Sequence, residues 1–299
     1  MVLLKVFLVL CFVAYGTSLN GRPDVDARSP DRSEVMARYS STLSSGGKAY
    51  LDLYIYYGKQ FKKHLHKKSH VLEYLKKFLK KVNEILRTAQ PILTVHFTLV
   101  GASQWNEEYR ALSEDRKTLD SELLTAVLQV FGKRLERRWH KTYGKHIDAV
   151  LLLTTNYIRN VSMSDIGNNV KNSNKQKDIV KGVAGRIGAI CMKENFVAAV
   201  TDKPGKFSGV RSAAKQLSIL MGAVEDGQGP PGNEFVRGSD GAKWCKYSDG
   251  YLLGSQTGEN SDKLSKCSAS SFIFGIRQHG PGCYDTTPRN EPLDNEIPE

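Results

Sequence analysis

Histidine nearly vanishes from the second half of this 299-residue chain, where His279 is the only one after His146. Three imidazoles therefore cannot converge on one metal in that half. The C-x-x-C spacing of a zinc ribbon or a thiol redox pair is absent. There is no G-x-S-x-G nucleophile elbow, no P-loop and no G-x-G-x-x-G following a strand, which removes the serine-hydrolase, NTPase and dinucleotide readings. No internal repeat is present. Apolar runs are short. The longest, Val6 to Val13, follows Lys5 and gives way to small residues ending Gly16-Thr17-Ser18. It is too short to span a bilayer and has the form of a secretory signal, residues 1–18. The expectation is an exported chain with no transmembrane segment.

Export sets how the cysteines are read. Cys11 leaves with the signal, and Cys191, Cys245, Cys267 and Cys283 remain. Four cysteines in an oxidising compartment imply two disulfides, with three connectivities open. Asn160-Val161-Ser162 is a sequon, making Asn160 a candidate glycan site. The net charge of +12 favours contact with polyanions outside the cell.

Residues 19–47 are polar and are expected to form a flexible leader. Tyr50 to Tyr57, aromatic and branched, reads as a first strand. Phe61, Leu65, Leu72, Leu75, Leu79, Val82 and Leu86 then mark one apolar helical stripe, stopped by Pro91. Val95, Phe97 and Leu99 alternate as a second strand. Leu119, Leu123, Val127, Phe131 and Leu135 mark a second long helix, with Lys133, Arg134, Arg137 and Arg138 suiting its C-terminal end. Ala149 to Leu153 is a continuous apolar run, as in a central strand. Asn156 to Gln176 reads as a long loop, Phe196 to Val200 as a strand, and Val210 to Met221 as a helix stopped by Gly222. Alternating strands and helices imply an α/β layer fold with a mixed, mostly parallel sheet. After Gly222 the chain loses periodicity, which predicts a small irregular, disulfide-stapled subdomain. Residues 284–299, rich in Pro, Asp and Glu, are expected to be disordered.

The first helix is strongly basic. Lys59, Lys62, Lys63, Lys67, Lys68, Lys76, Lys77, Lys80 and Lys81 face a single acid, Glu73, up to position 81. Most lie off the apolar stripe, which predicts a positive helix face able to hold heparin or another sulfated glycan. In an exported chain nucleic acid is the less expected partner.

Ser212 to Gly227 has the frame of the zinc-protease helix H-E-x-x-H-x-x-G-x-x-H, in which two His one turn apart and a third beyond a Gly hold one ion. The Gly is present as Gly222 and Asp226-Gly227 follows. With Gly229-Pro230-Pro231-Gly232, the segment from Cys245 through Asp249 to Leu253, and Leu264 to Ser268, this stretch resembles the reprolysin (adamalysin-like) zinc metalloproteases, and looks closest to those of tick salivary glands. The resemblance covers residues 48–283, a single metalloprotease-type domain, and implies a metzincin-like fold with an upper α/β subdomain and a small lower one. It also implies the pairings Cys191–Cys283 and Cys245–Cys267.

The departures decide the expected chemistry. Lys215, Ile219 and Glu225 stand where the family has its three ligands, and Gln216 where it has the catalytic Glu. A cationic Lys repels a dication, Ile offers no lone pair, and Gln cannot take a proton from water. Leu253 replaces the Met of the Met-turn. Neither bound zinc nor catalytic residues are expected, and no other cofactor is implied. Lys215 and Glu225, drawn together by the turn at Gly222, are expected to pair. Family members carry a long pro-region that keeps the zinc latent; the shorter leader here suits a chain with no activity to restrain. The reading is therefore an inactive, exported metalloprotease homologue that binds host extracellular proteins or sulfated glycans, acting on haemostasis or matrix at a feeding site. An active metalloendopeptidase with an atypical ligand set and a heparin-binding module whose metalloprotease frame is incidental are the alternatives.

Overall fold

The computed structural model describes residues 43–65, 67–113, 116–160 and 179–288. The signal segment 1–18, most of the leader, the Val161 and Ser162 half of the sequon, the rest of the loop to Gln176 and the tail from 289 onward lie outside the described residues.

The central sheet has strand order β2-β1-β4-β8-β7, from β1 (Gly47–Gly58), β2 (Leu93–Trp105), β4 (Ala149–Thr154), β7 (Gly182–Ala184) and β8 (Val197–Thr201). The β2/β1, β1/β4 and β4/β8 pairs are parallel, and only β7 runs antiparallel, along β8. A small second sheet joins β3 (Leu119–Asp120), β5 (Ile158–Arg159) and β6 (Ile179–Val180).

Period-two geometry sorts each central strand between two cores. Ala49, Leu51, Leu53, Ile55 and Tyr57 of β1 and Ala149, Leu151 and Leu153 of β4 face one core. Tyr54, Tyr56, Val150 and Leu152 face the other. Both faces are covered, so these strands are apolar almost throughout, as parallel sheets require. Helices α2 (Lys68–Leu86) and α4 (Val210–Leu220) cover the first face, and α3 (Ser121–Tyr143) covers the second. The mixed, mostly parallel α/β architecture expected from the alternation of elements is present.

Several expectations need correction. The basic stretch forms two helices, α1 (Lys59–Leu65) and α2, because Lys67 adopts an extended conformation at φ −124°. The α3 stripe is wider than expected: Val127, Phe131 and Leu135 pack against the core as expected, joined by Leu124 and Leu128. Leu124, Leu128 and Leu135 are buried, whereas Leu123 is 47% exposed. Leu119 was the misleading landmark: it lies in β3, and the helix starts after Asp120, whose carboxylate caps the Glu122 and Leu123 amides at 2.9 and 3.0 Å. The polar loop after Asn156 first forms β5. The domain reaches beyond both expected limits. Leu43, placed in the leader, is fully buried. Tyr284 is buried too, and Tyr50 and Asp285 exchange backbone hydrogen bonds of 2.9 and 3.0 Å, so the first residues of the expected tail are paired to β1. The region after Gly222 is largely irregular, but it holds a further helix, α5 (Lys266–Arg277). Ser265 caps α5 through the Ser268 amide, and Phe272 and Ile276 anchor it in the core.

Candidate functional site

Helix α4 forms because Val210, Ala213, Ala214, Leu217 and Leu220 recur every three or four residues and bury one face. Its entry is held by Asp202, whose Oδ1 accepts from the Gly209 amide at 2.8 Å. Its exit is a Schellman turn: the Gly222 amide bonds the Ile219 carbonyl at 2.9 Å and the Ala223 amide the Ser218 carbonyl at 3.0 Å. Gly222 sits at φ +102°, and a Cβ there would lie 3.1 Å from Gly275 Cα, so the turn needs glycine on both conformational and steric grounds. Here the end of α4 meets α5 at Gly275.

The turn brings the motif positions together. Lys215 Nζ donates to Glu225 Oε1 at 2.9 Å, closing an ion pair between helix and following strap. Gln216 is buried beneath β7, with its Cγ against Gly182. Ile219 packs on the edge of the main core. Next along the chain, Asp226 is buried; its amide donates to the Leu253 carbonyl at 3.1 Å and its Oδ1 accepts from Ser265 Oγ at 2.6 Å. Its Oδ2 is buried with no hydrogen-bond partner, and burial raises its pKa above the usual aspartate range. Leu253 is fully buried beneath this turn.

The side chains at Lys215, Ile219 and Glu225 do not suit zinc: one is an ammonium, one is aliphatic, and the one carboxylate of the three is bonded to that ammonium. Among the described residues no group of three or more His, Cys, Asp or Glu is gathered as metal ligands. No described helix is long and apolar enough to cross a membrane.

Two disulfides hold the surrounding chain, Cys191–Cys283 and Cys245–Cys267. The second fixes a loop whose rings point outward, with Trp244 79% and Tyr247 53% exposed and Lys243 Nζ 4.8 Å from the Trp244 ring centroid. The sequence analysis missed these rings and the Asp226–Ser265 bond. The aromatic pair flanking Cys245 was the available signal for the first; nothing local signals the second.

The basic residues are placed as follows. Lys59, Lys62 and Lys63 are exposed on α1, Lys67 is exposed at the break, and Lys76, Lys77, Lys80 and Lys81 are exposed on α2. The side chain of Lys68 lies outside the described set. Glu73 bonds Lys77 at 2.7 Å. These lysines and the Lys215–Glu225 pair belong to different regions of the chain. Asn160 is exposed, and its Oδ1 accepts from Ser121 Oγ at 3.4 Å.

No family model matches the chain. Over 120 residues it is 32% identical to a Bombyx mori protein described as "A disintegrin and metalloproteinase with thrombospondin motifs like", covering 37% of this chain and 17% of that protein. The chain thus spans under a fifth of that relative's length. Among solved structures, an archaemetzincin from Methanopyrus kandleri matches with a TM-score of 0.39 and 12% identity over 76% of this chain and 96% of the other. A chaperone–substrate complex matches with the same score and identity over 77% and 35%. Scores this low carry no functional argument.

Proposed function

We propose that this chain is an exported, metalloprotease-like protein without metal-dependent catalysis, which acts by binding. The Lys215–Glu225 ion pair carries the reading. An ammonium stands at the first ligand position and engages the only carboxylate among the three. Gln216, buried at the position of the general base, cannot accept a proton from water at neutral pH. The frame around them persists in Gly222, the buried Asp226 and the two disulfides. Retained frame and replaced chemistry together favour a role that depends on shape. The resemblance to salivary metalloproteases of ticks supports host extracellular proteins or sulfated glycans as its targets, at a site of feeding where haemostasis or matrix repair is opposed.

Metal analysis and digestion of gelatin and fibrinogen test this reading. The purified chain is expected to hold far less than one zinc per molecule and to leave both substrates intact. Restoring the motif with Lys215→His, Gln216→Glu, Ile219→His and Glu225→His is expected to create a stoichiometric zinc site, because the turn already converges on it. Stoichiometric zinc in the wild-type chain with chelator-sensitive cleavage would sink the proposal in favour of an active endopeptidase with an unusual ligand set.

A further inference from the structure

The outer side of α2 has a use that the metal-site replacements leave untouched. Lys76, Lys77, Lys80 and Lys81 are exposed and recur at three- and four-residue spacing, so they occupy two successive turns on one side of the helix. Their backbone origins span about 7.5 Å along the axis. Lys77 bonds Glu73, and the other three have no carboxylate partner among the described residues. Like charges at i,i+4, as in Lys76/Lys80 and Lys77/Lys81, oppose helix formation, and a bound polyanion relieves that repulsion. The backbone beneath is fixed, since Tyr74, Leu75, Phe78 and Val82 are buried on the opposite side. Lys81 is further placed by Phe207, with its Nζ 5.5 Å from a ring that stacks on Tyr74 at 4.6 Å. With the backbone held, binding orders only the lysine side chains.

The surroundings select among polyanions. The exposed aromatic rings of Tyr, Phe and Trp type among the described residues are Tyr109, Tyr143, Tyr157, Trp244 and Tyr247, and none lies on α1 or α2. Apart from the imidazoles of His64 and His70, the face offers no exposed ring among the described residues on which nucleic-acid bases could stack. It has no large exposed apolar side chain to enter a bilayer either, since Leu123 and Val130 belong to α3. What it offers is a strip of compact ammonium charges bordered by the exposed carboxylates of Glu73 and Glu84, which suits sulfate groups spaced along a flexible chain. Two disulfides fit the compartment where sulfated glycans occur. We infer that the outer face of α2 is a sulfated-glycan site centred on Lys76, Lys77, Lys80 and Lys81.

The test uses the full chain and a defined heparin oligosaccharide. The variant Lys76→Gln/Lys77→Gln/Lys80→Gln/Lys81→Gln is compared with Arg134→Gln/Arg137→Gln/Arg138→Gln/Lys141→Gln, which removes equal charge from α3. Circular dichroism melts establish that each is folded, and the milder Lys76→Gln/Lys80→Gln pair replaces the first if it is not. The α2 variant is expected to bind about tenfold or more weakly at about 0.15 M salt, with a shallower dependence of log affinity on log salt, while the α3 variant stays near wild type. Equal weakening of both variants would reduce the site to net-charge attraction and overturn the proposal. Tighter wild-type binding to single-stranded DNA or phosphatidylserine vesicles than to heparin at the same salt would overturn it too.

Discussion

Lys215 retains 20% of its side-chain surface in contact with solvent and Glu225 43%, so water screens their attraction. An ion pair this open contributes between nothing and about 1 kcal/mol. Lys215→Met is therefore expected to change the unfolding free energy by less than about 1 kcal/mol in urea titration; a loss above about 3 kcal/mol would mark the pair as a desolvated strut. The fold is not expected to depend on a pair this open to solvent. The meeting of these two residues was legible in the sequence, because a glycine stop between residues ten positions apart folds the chain back on itself. The neighbouring Asp226 was not. Its partner Ser265 is 39 residues away, and only the seating of α5 brings them together.

Between elements, Asp202 is the main polar tie among those described here. Its carboxylate is fully buried and accepts from Tyr74 Oη of α2 at 2.6 Å, the Gly209 amide at 2.8 Å and Ser208 Oγ at 3.2 Å. Burial outweighs these donors and holds the carboxyl above the ordinary aspartate range. A group whose pKa rises on folding contributes stability that is complete below its unfolded pKa, about 3.9 for aspartate, and lost as pH climbs through the folded value. The stability of wild type minus that of Asp202→Asn is thus expected to fall as pH rises above about 4; a difference that stays flat with rising pH would contradict it. Element legibility followed periodicity. The stripe of Leu75, Leu79, Val82 and Leu86 fixed α2, and the run Ala149 to Leu153 fixed β4. Helix α5 escaped notice because Cys267, Ser268, Ala269, Ser270 and Ser271 are small, and Phe272 and Ile276 alone make too sparse a stripe. Strand β7 escaped because Gly182-Val183-Ala184 is too short to show alternation; it pairs only because Gly182 lets it approach Val200.

For the molecule as a whole, the disulfides divide the constraint unequally. Cys191–Cys283 closes a separation of 92 residues and Cys245–Cys267 one of 22. In the chain-entropy account the first limits the unfolded ensemble by about 4.6 kcal/mol and the second by about 3.4 kcal/mol. Cys191→Ser/Cys283→Ser is accordingly expected to lower the unfolding free energy more than Cys245→Ser/Cys267→Ser, by about 1 kcal/mol, in parallel denaturant titrations; the reverse order would show that the shorter loop holds native packing that the longer one does not. The pairing was implied by family resemblance, whereas spacing alone left three connectivities. The loop held by the shorter bridge also provides an optical reporter. Trp244 is 79% exposed, Trp139 is half-buried and Trp105 is 2% exposed, so iodide in the bathing solution reaches the Trp244 indole most readily. A partner that settles over this loop therefore announces itself as emission recovered from the quencher, with no dye attached to the protein.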